Sequence, residues 1–234
     1  MEEREEMRGL PPRASIPSRA ATLLFAALLF AGAGAPAQRV VPERSLRGSD
    51  FVELAALDSS IRYDIRYATE RNFMGRKMYT EARALLQRPA ALALLRAHRE
   101  LRKAGAGILV FDAYRPWRVT KLFWDETPPE KRGFVADPRK GSKHNRGCAV
   151  DCSLYEIATG REIPMPTPYD DFTDAAAPYA PSGTAEQRAW RDLLRRTMER
   201  EGFQVEPKEW WHFDYREWRR FPVFDVPFER LPAR

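Results

Sequence analysis

This 234-residue chain has little histidine and little cysteine: three of the first and two of the second. Cys148 and Cys152 lie four apart. On a strand their Cα atoms would be about 13 Å apart, too far for a bridge. No second cysteine pair exists to build a thiolate metal site. The two are expected to be small buried hydrophobes. Apolar runs are also short, and none reaches the roughly 20 residues that span a bilayer. Basic residues are spread out, with no basic run interleaved with aromatics. The net charge of +6 therefore reads as a solvated basic surface, and no nucleic-acid partner is expected. Internal repeats are absent.

The N-terminus reads as a targeting segment. Residues 20–38 carry no charge, and Ala20 to Ala31 is a run of Ala, Leu, Thr and Phe. That length suits the apolar region of a signal peptide, and Ala35-Pro36-Ala37 offers small residues for cleavage before Gln38. Glu2, Glu3, Glu5 and Glu6 spoil the positive leader, whereas a start at Met7 would leave only Arg8, Arg13 and Arg19 charged before the run. The expected division is a signal peptide over 1–37, an extended lead-in over 38–50 and one domain over 51–234. Export to the periplasm or cell envelope follows, with no stable membrane span after cleavage.

Phe51–Leu54 and Ile61–Tyr67 read as strands, the second alternating with Ile61, Tyr63, Ile65 and Tyr67 on one face. Pro89 opens a helix whose Leu92, Leu95 and Leu101 fall at helical spacing, and Gly105 stops it. His98 lies on that helix beside Arg96 and Arg99, as a surface or half-buried residue and not a ligand. Ile108–Tyr114 is an apolar strand, and Trp117–Glu126 a short helix ended by Pro128-Pro129. Ala149–Leu154 is a further strand. Ile163–Ser182, with five prolines, is a long loop of the kind that lines sites. Thr184 and Gln187 form a capping box for a helix with Trp190, Leu193, Leu194 and Met198 on its apolar face. Phe203–Val205 and His212–Tyr215 complete the strands. Strands and helices do not alternate strictly, so the fold class is α+β, a single domain with a central antiparallel sheet flanked by helices.

Two of the three histidines fall in chemically loaded stretches. Ser142 to Asp151 places His144 seven positions before Asp151, with Gly147 between them to permit a sharp turn. Glu209-Trp210-Trp211-His212 adds a histidine with a carboxylate three residues before it. Two imidazoles and one carboxylate make a three-ligand zinc site with an open fourth position. A spare glutamate beside a ligand supplies a general base. On a regular strand Glu209 and His212 would point to opposite faces. Both reach one metal only through a kink, a strand end or a helical turn.

Ser-x-His-x-x-Gly-x-Ala-x-Asp followed by Glu-x-Trp-His resembles the signature of the zinc D-Ala-D-Ala dipeptidases of the VanX type, relatives of the D,D-carboxypeptidases with the hedgehog-like zinc fold. The resemblance covers roughly residues 50–220. It includes Asp64-Ile65-Arg66-Tyr67-Ala68-Thr69, Asn72-Phe73-Met74-Gly75, Asp112-Ala113-Tyr114-Arg115-Pro116 and Met165-Pro166-Thr167-Pro168-Tyr169-Asp170. It implies one zinc per chain on His144, Asp151 and His212. It makes Glu209 the base and Arg115 the stabiliser of the oxyanion. Tyr67, Ser142 and Asp170 become substrate-binding positions, with Asp170 or its neighbour Asp171 as the clamp for a free ammonium. The implied substrate is D-alanyl-D-alanine. A D,D-carboxypeptidase acting on longer muropeptides and a non-catalytic zinc or wall-binding module are the alternatives. Oligomeric state is not legible.

Overall fold

The computed structural model describes residues 40–41, by backbone alone, and 48–231. The expected signal peptide lies outside them. In chain order the elements are β1 (Val40–Val41), β2 (Phe51–Glu53), α1 (Leu54–Leu57), β3 (Arg62–Tyr63), β4 (Leu85–Gln87), α2 (Arg88–Lys103), β5 (Ala106–Asp112), α3 (Trp117–Glu126), β6 (Ala149–Glu156), α4 (Ala185–Arg200), β7 (Phe203–Glu206), β8 (Glu209–Tyr215) and β9 (Val223–Phe224).

Five strands form the central sheet in the order β3-β5-β6-β8-β7. Its pairs are antiparallel except β3 with β5 at one edge. This is the expected α+β arrangement with one parallel edge pair. β1 with β9 and β2 with β4 make two small outlying ribbons. Helices α2 and α4 pack on each other, α2 against β5 and α4 against β7. Every residue of β5, and all of β6 except Glu156, is buried, which is why these strands read as nearly continuous apolar runs. Cys148 and Cys152 are buried and free, and burial pushes both thiols up. They are inert packing, as expected. The capping box forms: Gln187 N–H donates to Thr184 Oγ1, and the Gln187 side chain receives the Thr184 N–H.

Several expectations need correction. The strand over Ile61–Tyr67 is only Arg62–Tyr63. The chain then turns through a 3-10 segment, Arg66–Ala68. Side chains capture the backbone there: Thr69 Oγ1 and Asn72 Nδ2 both donate to the Arg66 carbonyl. Such local bonds compete with a sheet ladder. The strand over Phe51–Leu54 gives way to a helical turn at Leu54. On α2, Leu95 and Leu101 are buried as expected but Leu92 is 40% exposed, and Ala90, Ala91, Ala93, Leu94, Ala97 and His98 complete the buried set. His98 is no surface residue; it is fully buried. Its Nδ1 accepts from Ile108 N–H at 3.0 Å, and Nε2 meets Ser60 Oγ at 2.9 Å. Both ring nitrogens are satisfied, so it takes no part in a site.

Sheet register aligns the chemistry. Asp151 on β6 lies opposite Asp112 of β5 on one side and His212 of β8 on the other. Regular pairing after Val110↔Cys152 would place Asp112 on the face of Val150. A register shift between Val110 and Asp112 brings it level with Asp151 instead.

Candidate metal and substrate site

His144, Asp151 and His212 converge, all buried. His144 Nε2 is 3.1 Å from His212 Nδ1. Asp151 Oδ1 is 3.2 Å from the first and 3.0 Å from the second. The other nitrogen of each ring faces an oxygen. His144 Nδ1 lies 2.6 Å from the Ala113 carbonyl, which can only accept. His212 Nε2 lies 2.9 Å from Asp214 Oδ1. The remaining nitrogen of each ring faces the other ring and a carboxylate. Asp151 Oδ1 is buried and takes no hydrogen bond of acceptable geometry. Metal ligation requires both rings neutral, and three lone pairs at this range then repel unless a cation lies among them. Zinc bonds of about 2.0–2.1 Å in tetrahedral array set ligand atoms about 3.3 Å apart, close to the observed triangle. The donor set fits a metal.

Local sequence explains the convergence. His144 starts a 3-10 turn, His144–Arg146, closed by Gly147 at φ +65°. A Cβ on Gly147 would meet the Phe51 ring at 2.4 Å, so glycine is required on both counts. Asp151 follows on β6. Tyr169 Oη donates to its Oδ2 at 2.9 Å. Burial raises the Asp151 pKa, but the two imidazoles outweigh it and hold the carboxyl well below its usual range. Asp214 is itself held by Lys143 Nζ at 2.9 Å.

Glu209 opens β8 and faces the same space. The β7–β8 ladder slips between Val205↔Phe213 and Glu206↔Glu209. The slip breaks alternation, so Glu209 and His212 share a side. Burial pushes Glu209 up to about 8, with His212 opposing. A carboxylate tuned near working pH suits general base work.

Arg115 follows β5 and is buried. Its Nε and Nη2 donate to Asp112 Oδ2 at 3.0 and 2.7 Å, and Nη2 is 3.7 Å from Asp151 Oδ2. Its guanidinium rests over the rings of Phe123 and Tyr67. Asp112 also accepts from Tyr79 Oη and Ala113 N–H. The cation is thus fixed beside the triangle.

A cavity of about 200 Å³ opens on these groups, lined also by Tyr67, Ser142 and Asp170. Tyr67 Oη donates to Asp170 Oδ1 at 3.1 Å, and Phe73 N–H to Oδ2 at 3.2 Å. Asp170 has φ +61°, a left-handed conformation that aspartate tolerates better than most side chains. Burial lifts its pKa to about 7, against these two bonds. Asp171 lines an adjoining groove instead. Ser142 Oγ accepts from His144 N–H at 3.2 Å, leaving its own hydrogen free to donate. All eight expected residues meet at this one cavity. Asp112, Asp214, Lys143 and Tyr169 were not anticipated. Asp214 was reachable: two residues beyond His212 on a strand, it shares its face.

The model of the peptidase M15 family described as D-ala-D-ala dipeptidase matches residues 47–224. The D-alanyl-D-alanine dipeptidase of Escherichia coli K12 is 29% identical over 180 residues, 77% of this chain and 92% of that protein. The enzyme of the same name from Enterococcus faecium is 32% identical over 201 residues, 76% and 97% respectively. Among solved structures, the vancomycin-resistance D,D-dipeptidase VanXYg in complex with a D-Ala-D-Ala phosphinate analogue covers 57% of this chain and 51% of its own, at 22% identity and a TM-score of 0.38.

Proposed function

The chain belongs to the peptidase M15 family of D-Ala-D-Ala dipeptidases, and from that premise we propose that it is a zinc dipeptidase hydrolysing free D-alanyl-D-alanine to two D-alanines in the cell envelope. The observation that carries the reading is the triangle of His144 Nε2, His212 Nδ1 and Asp151 Oδ1 with Glu209 beside it.

One zinc per chain, held by those three residues, would polarise the scissile carbonyl and make water acidic near neutral pH. Glu209 takes the proton from the attacking water and passes it to the leaving amine. Arg115, anchored by Asp112, presents its remaining N–H groups to the charge developing on the carbonyl oxygen. Asp170 pairs with the free ammonium of the substrate. Tyr67 fixes Asp170, and Ser142 offers its hydroxyl to the peptide. The cavity is smaller than the roughly 300–1,000 Å³ of sites for drug-sized ligands, in keeping with a very short peptide. An acylated amine would leave Asp170 buried and unpaired, which is costly.

The apolar run after residue 20 supports export, and hence a role in wall turnover and D-alanine recovery. Fractionation that finds the chain in the cytoplasm would sink that part. The test of the activity compares free D-Ala-D-Ala with its N-acetylated form on the zinc-loaded chain from Gln38. Strong preference for the free dipeptide is expected. Equal or better cleavage of the acetylated form would make it a carboxypeptidase, and zinc-dependent binding of wall fragments without cleavage a binding module.

A further inference from the structure

A zwitterionic peptide brings a carboxylate as well as an ammonium into this cavity. Four acids line it: Asp151, Asp170, Glu206 and Glu209. Three cations line it: Arg115, Lys143 and Lys208. Arg115 is committed to Asp112 at 2.7 Å, and Lys143 to Asp214 at 2.9 Å. Lys208 is not committed in this way. Its Nζ lies 3.2 Å from the Gly133 carbonyl and 4.9 Å from the Phe134 ring centre. Among the described residues no carboxylate pairs with it. A peptide carboxylate entering beside Glu206 and Glu209 needs a cation to meet it, and Lys208 is the lining cation that no carboxylate already holds.

Position selects the same residue. Lys208 lies in the turn between β7 and β8, immediately before Glu209. In the proposed reaction Glu209 protonates the amine of the departing C-terminal residue. The carboxylate sits on the carbon bonded to that amine, so it lies on the Glu209 side of the cavity. Asp170 and its partners Tyr67 and Phe73 come from other segments and attend to the amino end. A lysine on a flexible stem can leave a neutral carbonyl and a ring face for a full negative charge at little cost.

We infer that Lys208 binds the C-terminal carboxylate of the substrate, making the site selective for peptides with a free carboxyl end. The inference rests on the dipeptidase reading above. It assigns Lys208 to binding, so its effect belongs in KM more than in kcat.

The experiment measures kcat and KM of the zinc-loaded chain for D-Ala-D-Ala and for its C-terminal amide, in the native protein and in Lys208→Gln and Lys208→Arg. The native chain should prefer the free acid. In Lys208→Gln the ratio of the two kcat/KM values should fall about tenfold, the loss of one charge-assisted hydrogen bond, mostly through KM for the acid. Lys208→Arg should regain most of it. Equal losses on acid and amide would overturn the inference and leave Lys208 as a tie between the turn and Gly133. A native chain indifferent to the amide would overturn it as well. Failure of the native chain to hydrolyse D-Ala-D-Ala would bring down the dipeptidase reading itself, a result distinct from hydrolysis with an unmoved ratio.

Discussion

Glu209 Oε2 lies 3.9 Å from His212 Nδ1, on one side of a strand where a spacing of three puts residues on opposite faces. The slip in the β7–β8 ladder makes this possible. The proposed base and one of the proposed metal ligands are therefore carried by the same strand. The strand is buried around them, with Trp210 and Trp211 almost fully enclosed.

The first prediction separates base from ligand. Glu209→Gln should retain one zinc per chain while kcat for D-Ala-D-Ala falls by about 10²–10⁴. Metal content and D-alanine release, measured on the same sample, check it. Near-normal turnover would remove Glu209 from its role.

Arg115 is expected to matter by geometry more than by charge. Arg115→Lys keeps the cation but cannot make the paired bonds to Asp112 Oδ2. A loss of about 10²–10³ in kcat, with a smaller change in KM, is expected. A loss confined to KM would show ground-state binding instead.

Asp214 orients His212 through the 2.9 Å contact to Nε2. Asp214→Asn should weaken zinc binding by about 10–100-fold. Competition against a chelator of known affinity reads this without reference to activity. Unchanged affinity would leave Asp214 as a partner of Lys143 alone.

Asp170 carries a pH signature. Its carboxyl sits near 7 in the folded chain, raised by burial from an ordinary 3.8. Between those values the folded state holds a proton that the unfolded state has lost. Stability from this site is thus complete below about pH 4 and lost as pH rises through about 7. Asparagine cannot ionise and tolerates the left-handed backbone. Melting of the metal-stripped protein should show Asp170→Asn matching the native chain at pH 4 and exceeding it at pH 8. The same variant should lose preference for the free over the N-acetylated dipeptide. Identical melting at pH 8 would place the titration elsewhere.

Much of the molecule was legible in the sequence because local rules govern it. Thr184 and Gln187 cap α4 through groups three residues apart. Trp117–Glu126 is bounded by prolines. The scarcity of histidine made His144 and His212 conspicuous, and Asp151 and Glu209 were found by their spacing from them. Side-chain bonds to the backbone and packing between distant segments decided the rest. Ile61–Tyr67 has the alternation of a strand, yet side chains of Thr69 and Asn72 draw the backbone into a turn. His98 has charged neighbours along the helix, yet the partners that bury it, Ser60 and Ile108, come from other elements.

Composition and spacing by themselves determined which residues could hold a metal, which could move a proton and what class of fold would carry them. Only the tertiary structure decided that Asp112, Asp151 and His212 stand level across three strands, that Glu209 turns to the same side, and that Asp170 rather than Asp171 enters the cavity. Those outcomes depend on two ladder irregularities and one left-handed residue. Each is a small backbone choice whose cost is met by packing and hydrogen bonds from distant segments, and no local pattern in the chain encodes it.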